Sequence, residues 1–220
     1  FSETQTDKKY LLRTNSAAKV MGREDRKDGV HSGNRVLTRI YNHGAIGDLS
    51  SAFSGVYPIG SGHAYIFEFS PVIAASVVDV NGNRKHIISD GTIGLTDDSP
   101  EGTPWSFEPL PGYANPNQEN LAMSDNVNSW PESWPNRSSD WDGEWNGQYG
   151  KYVRADQESY FVVDDYYNSE FEFWPDENDL PDSLSEDPDN HRRGLGIQLD
   201  VRGYQWNHPA AEDILIVTYW

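Results

Sequence analysis

From Ser159 to Trp174 the chain reads Ser-Tyr-Phe-Val-Val-Asp-Asp-Tyr-Tyr-Asn-Ser-Glu-Phe-Glu-Phe-Trp, and no other stretch limits the fold as tightly. Its first half is β-branched and aromatic. Its second half alternates Glu170, Phe171, Glu172, Phe173, which puts rings on one side of an extended chain and carboxylates on the other. The pattern predicts two half-buried strands joined at Tyr166–Ser169. Thirteen acids and no Lys or Arg fall between Asp156 and Asn190, so a polar function is sought here first.

The remaining strands follow from the same period-two reasoning. Arg35–Tyr41 alternates into a strand, and His63–Ser70 and Val72–Val80 read as two more. Asn81-Gly-Asn before Arg84–Ile88 is hairpin chemistry, because Asn and Gly tolerate positive φ. Gly194–Trp206 and Ile214–Trp220 complete the set. Helical periodicity is scarce. The fold class is therefore all-β, an antiparallel β-sandwich-like domain over residues 35–220 with long irregular Trp/Pro/Gly-rich loops. Residues 1–34, which hold seven of the 17 basic residues, read as a basic N-terminal arm. The opposite charges of the two regions predict that this arm lies along the acidic strands near Phe171–Trp174, of its own chain or of a neighbour.

Charge and composition narrow the function. A net charge of −18 excludes the basic footprint that nucleic acids and anionic membranes require. There is no cysteine, hence no disulfide, no thiolate catalysis and no Cys-ligated zinc. No apolar run reaches transmembrane length. With 8 Trp and 12 Tyr in 220 residues, much apolar area sits on amphipathic rings that need hydrogen-bond partners. A start at Phe1 without Met and an end on an apolar strand suggest a piece of a longer chain.

Three candidate sites emerge. Asp176, Asn178, Asp179, Asp182, Asp187 and Asp189 supply hard oxygen ligands of the kind calcium takes, although the EF-hand pattern fails at Leu180. A solvated acidic loop is the alternative. Trp130, Trp134, Trp141 and Trp145, paired at a spacing of four, offer flat faces for sugar rings, or else pin a long loop onto a sheet. Carboxylate pairs such as Glu144 with Glu158, or Asp164 with Asp165, are what a glycosidase would need, yet neighbours in a strand point to opposite faces. The six histidines show no metal-binding spacing, and no nucleophile-elbow, phosphate-loop or dinucleotide motif occurs. Asn136-Arg-Ser138 matches a glycosylation sequon.

Gly194-Leu-Gly-Ile, Arg202-Gly-Tyr-Gln-Trp206, Pro209-Ala-Ala-Glu-Asp-Ile214 and Gln157-Glu-Ser-Tyr-Phe161 with Asp164-Asp165-Tyr166 together resemble the N-terminal region of large secreted proteins of the type IX secretion class. Arg39–Gly47 and Gly60–Tyr65 fit the same pattern. The resemblance implies an exported, surface-associated protein continuing into further β-domains, with no catalytic assignment. The expected function is an extracellular structural or adhesive module of a larger cell-surface protein or assembly, non-enzymatic, whose partners are other domains or subunits. The alternative is a carbohydrate-binding domain or glycan-active enzyme using the Trp-rich loop.

Overall fold

A computed structural model describes residues 22–48, 50–78, 82–93, 105–166, 168 and 194–220. The fold is all-β, its sheets antiparallel. Strands β1 (Asp28–His31) and β2 (Thr38–Tyr41) form one hairpin, and β3 (Val72–Val78) and β4 (Arg84–Asp90) a second. The remaining strands, β5 (Glu108–Pro109), β6 (Ala122–Met123), β7 (Gln157–Asp164), β8 (Gln198–Gln205) and β9 (Leu215–Tyr219), make a five-stranded sheet ordered β5-β7-β8-β9, with β6 also on β7.

Strand β7 is the centre of this sheet, and all eight of its residues are buried. The half-buried strand expected at this position is instead covered on both sides. One face carries Phe161 and Val163, paired with Val201 and Leu199, and packs with Ile40, Ile46, Phe107, Leu121 and Met123. The opposite face carries Tyr160 and Val162 and packs with Tyr113, Trp134 and Trp145 from the long loop. Burial of this kind is worth about 1.5–3 kcal/mol per large side chain, so the loop is part of the core rather than an excursion from it.

Where described, the region read as an N-terminal arm is woven into the fold. Arg26 makes a two-pronged ion pair with Glu108, Nε to Oε2 and Nη2 to Oε1, both 2.8 Å. His31 is fully buried, its Nε2 2.9 Å from Ser159 Oγ. A Cβ on Gly203 would come within 2.5 Å of that imidazole, which is why β8 carries glycine there. The Gln157 carboxamide oxygen accepts the backbone N–H of Ser32 and Gly33, at 2.7 and 2.9 Å. Residues 1–21 lie outside the described residues, and with them most of the arm. The contact predicted between the arm and Phe171–Trp174 lies outside them too.

A second difference concerns His63–Ser70, read as a strand. The chain there makes only isolated bridges, Ala64 to Val56 and Phe69 to Ile46, and leaves Tyr65, Phe67 and Phe69 exposed. Alternation without a neighbouring strand to complete the ladder yields an extended segment, not a sheet member. The predicted β3–β4 hairpin forms as expected, with Val72 opposite Asp90 and Val78 opposite Arg84.

Candidate interaction face

The Trp-rich loop is anchored by its indole N–H groups. Trp145 Nε1 donates to Glu158 Oε2 at 2.7 Å, Trp134 Nε1 to the Glu144 carbonyl at 2.9 Å and Trp130 Nε1 to the Met123 carbonyl at 2.7 Å. Trp134 and Trp145 are only 2% exposed and meet edge to face at 5.8 Å, while Trp130 lies 5.3 Å from Trp145. Trp141 is flanked by Arg137, 4.3 Å from its ring centre, and by Lys151 at 5.5 Å. Of the four residues expected to offer a sugar platform, Trp134 and Trp145 are buried and Trp130 and Trp141 half-buried. The buried pair is spent on packing, and Trp141 lies beside two cations.

Of the candidate carboxylates, Glu158, Asp164 and Asp165 are engaged in hydrogen bonds within the fold. Glu158 is buried and its carboxylate accepts three hydrogen bonds, from Trp145, from Arg154 N at 2.5 Å and from Ala155 N at 3.0 Å. Glu144 is exposed and contributes its carbonyl, not its carboxylate, to the clamp. Asp165 closes the loop before β8, its Oδ1 accepting Gly196 N at 3.0 Å and Ile197 N at 2.9 Å and its Oδ2 the Ser89 hydroxyl at 3.2 Å. Burial raises its pKa above the usual carboxylate value, and the hydrogen bonds from Ile197 and Gly196 oppose the rise. Asp164 instead accepts Tyr166 N at 3.1 Å.

The sequon asparagine, Asn136, donates to the Tyr160 hydroxyl and accepts from Asn146 Nδ2 at 2.8 and 2.9 Å, so its amide is already part of the fold. The calcium candidates Asp176, Asn178, Asp179, Asp182, Asp187 and Asp189 lie outside the described residues. Among the described residues no group of three or more His, Asp or Glu could hold a metal ion. No helix among them is long and apolar enough to cross a membrane.

What the loop leaves bare is the other notable feature. It covers β7 and stops short of β9. Register puts Tyr204 across from Ile216 and Arg202 across from Thr218. Asp200 and Trp220 exchange both backbone hydrogen bonds at 3.0 Å. Along this margin Ile214 is 48% exposed, Ile216 43% and Trp220 70%. Trp206 continues the strip, half-buried and stacked 5.8 Å from Tyr204. At its border Arg154 lies 4.6 Å from the centre of Tyr149 and 5.8 Å from that of Tyr152, both rings exposed.

Sequence reasoning missed Tyr149, Tyr152, Arg154 and Trp206 as a group. The signal was weak, because only the strand register and the Trp206 Nε1 hydrogen bond to the Arg154 carbonyl, 3.1 Å, bring them together. Comparison with known proteins finds no matching family, no similar curated protein and no similar solved structure.

Proposed function

We propose that the chain is a non-enzymatic structural or adhesive module of an extracellular, cell-surface protein or assembly. The observation that carries this reading is the apolar margin of the five-stranded sheet, where Ile214, Ile216 and Trp220 stand in solvent beside Trp206. A contiguous exposed apolar strip bordered by polar groups is the mark of an interaction site. The buried carboxylates support the same reading, since Glu158 and Asp165 are engaged by backbone and indole donors. The resemblance to secreted proteins of the type IX class supports the setting, and calcium held by Asp176–Asp189 belongs to the same proposal.

Two measurements test it together. Protease shaving of intact cells should release this module, and the purified chain should show no turnover on a polysaccharide panel. Hydrolysis that disappears in Glu158→Gln, with the variant still folded, would overturn the non-enzymatic reading. A chelator should lower the melting temperature if the acidic loop holds calcium, because a ligand bound only by the folded state stabilises it by mass action.

A second reading, carbohydrate binding, is favoured by the exposed Tyr149 and Tyr152 rings around Arg154 rather than by the four tryptophans first considered. Calorimetry with neutral and acidic oligosaccharides, repeated on Tyr149→Ala with Tyr152→Ala, decides it. Heat of binding that survives both substitutions removes these tyrosines from the reading.

A further inference from the structure

The two margins of the five-stranded sheet are built differently. On one side β5 and β6 are two residues each, and β5 ends in Pro109, so that margin is short and blunted. On the other side β9 runs Leu-Ile-Val-Thr-Tyr with no charge, no proline and no glycine. The chain as a whole is 24% charged, yet residues 214–220 carry none. Natural sheets protect their margins with Lys, Pro, bulges or short strands, and an uncharged β-branched edge without any of these is a template for another strand.

The hydrogen-bond phase of β9 shows which groups it offers. Asp200 and Trp220 exchange both bonds, so in an unbroken antiparallel register Arg202–Thr218 and Tyr204–Ile216 do the same, and the pairs between them do not. The backbone N–H and C=O groups of Leu215, Val217 and Tyr219 therefore point away from β8. Among the described residues nothing pairs with them.

We infer that β9 pairs antiparallel with β9 of a second copy, about a two-fold axis through Val217, joining two sheets into one of twice the width. The inference rests on the reading of the chain as a structural module and names its partner. A two-fold axis at Val217 brings Val217 opposite itself and Leu215 opposite Tyr219 of the other copy, so every outward N–H finds an outward C=O. On the exposed face the same register sets Ile216 beside Thr218 and Ile214 beside Trp220 of the second copy. The strip thereby covers itself with the aromatic–aliphatic cross-strand pairs that stabilise sheets. Charge points the same way. Two chains of −18 each repel over most of their surfaces, and an uncharged edge is where they can meet. Glu212 and Asp213, just before the strand, share Arg35 at 3.6 and 2.9 Å, which offsets one of their two charges.

The test is sedimentation of the whole chain over a concentration series. The expected mass is twice the 24.9 kDa of the chain at high concentration. Val217→Pro removes an outward N–H without touching the β8 ladder and should hold the mass at that of one chain, with an unchanged far-UV spectrum. Ile216→Lys, on the exposed face, gives the same readout should the proline variant unfold.

Register is checked by oxidising Val217→Cys in this cysteine-free chain. Facing residues of a hydrogen-bonded pair lie about 5.5 Å apart, within the roughly 4.4–6.8 Å that a disulfide spans. Val217→Cys should therefore cross-link, whereas Leu215→Cys should not. A wild-type chain that stays single at every concentration overturns the inference. So does a dimer that tolerates both Val217→Pro and Ile216→Lys, or one that fails to cross-link at residue 217. In each of these cases the surface module can still be released by shaving and still lack turnover, so the pairing falls alone.

Discussion

Replacing Glu158 by Gln isolates the clamp that ties the Trp-rich loop to the central strand. The carboxylate receives the indole N–H of Trp145 on Oε2 and two backbone N–H groups, of Arg154 and Ala155, on Oε1. A carboxamide keeps one oxygen. If that oxygen stays with Arg154 and Ala155, the new NH2 faces the Trp145 N–H, donor against donor. The flipped amide sets NH2 against two backbone donors and is worse. A hydrogen bond to a charged group contributes about 1.5–3 kcal/mol, and a buried donor left unmet costs about 1–3. Relief from burying a charge offsets part of this loss. A net destabilisation of about 2–3 kcal/mol is expected, lowering Tm by roughly 5–10 °C for a chain of this size.

Urea unfolding followed by tryptophan fluorescence measures the loss, provided the m-value is unchanged. Trp145→Phe removes the same N–H from the other side. In that background Glu158→Gln should cost at least about 1 kcal/mol less, the coupling expected of groups in direct contact. A Glu158→Gln variant within about 0.5 kcal/mol of wild type, or an equal cost in both backgrounds, would refute the clamp.

Other expectations follow from buried groups. Burial lowers the His31 pKa from 6.5 to about 4, partly opposed by Gln205, so the folded state keeps this ring neutral. Its contribution is complete above pH 6.5 and is lost as pH falls toward 4, up to about 3 kcal/mol. Stability measured across that window should slope less in His31→Gln than in wild type. Arg26→Ala removes the cation from the Glu108 carboxylate, which is 12% exposed and keeps the Ser106 hydroxyl at 2.9 Å, and should destabilise by up to about 3 kcal/mol, whereas replacing both partners should cost less than the two single changes together. Gly194→Ala would drive its Cβ into the Asp165 carbonyl oxygen and should cost about 3 kcal/mol in chemical denaturation.

Much of the strand content is readable from local pattern. Val72–Val78 and Arg84–Asp90 pair antiparallel because both runs alternate and lie close together in the chain. Strands β8 and β9 are likewise legible as alternating runs. His63–Ser70 has an equally good pattern and forms only isolated bridges, because a strand also needs a partner and none of adequate length lies beside it among the described residues. Pattern alone could not show that β7 is buried on both faces. That depends on segments from 15 residues away (Trp145 to Tyr160) to 121 residues away (Ile40 to Phe161), the Trp-rich loop on one side and the β1–β2 hairpin on the other.

The tryptophans show the same division. Their density establishes that the loop is ordered, since each ring must bury its body and satisfy its N–H. Whether a ring faces solvent or core is decided by where those partners lie, and Glu158, Glu144 and Met123 turn three of them inward. The composition of residues 214–220 by itself determines an uncharged, strand-forming segment. Only the tertiary structure decides that this strand sits at the margin of the sheet, its outer edge without a partner among the described residues and one face beyond the loop's reach, because edge and cover are properties of neighbours brought together by folding.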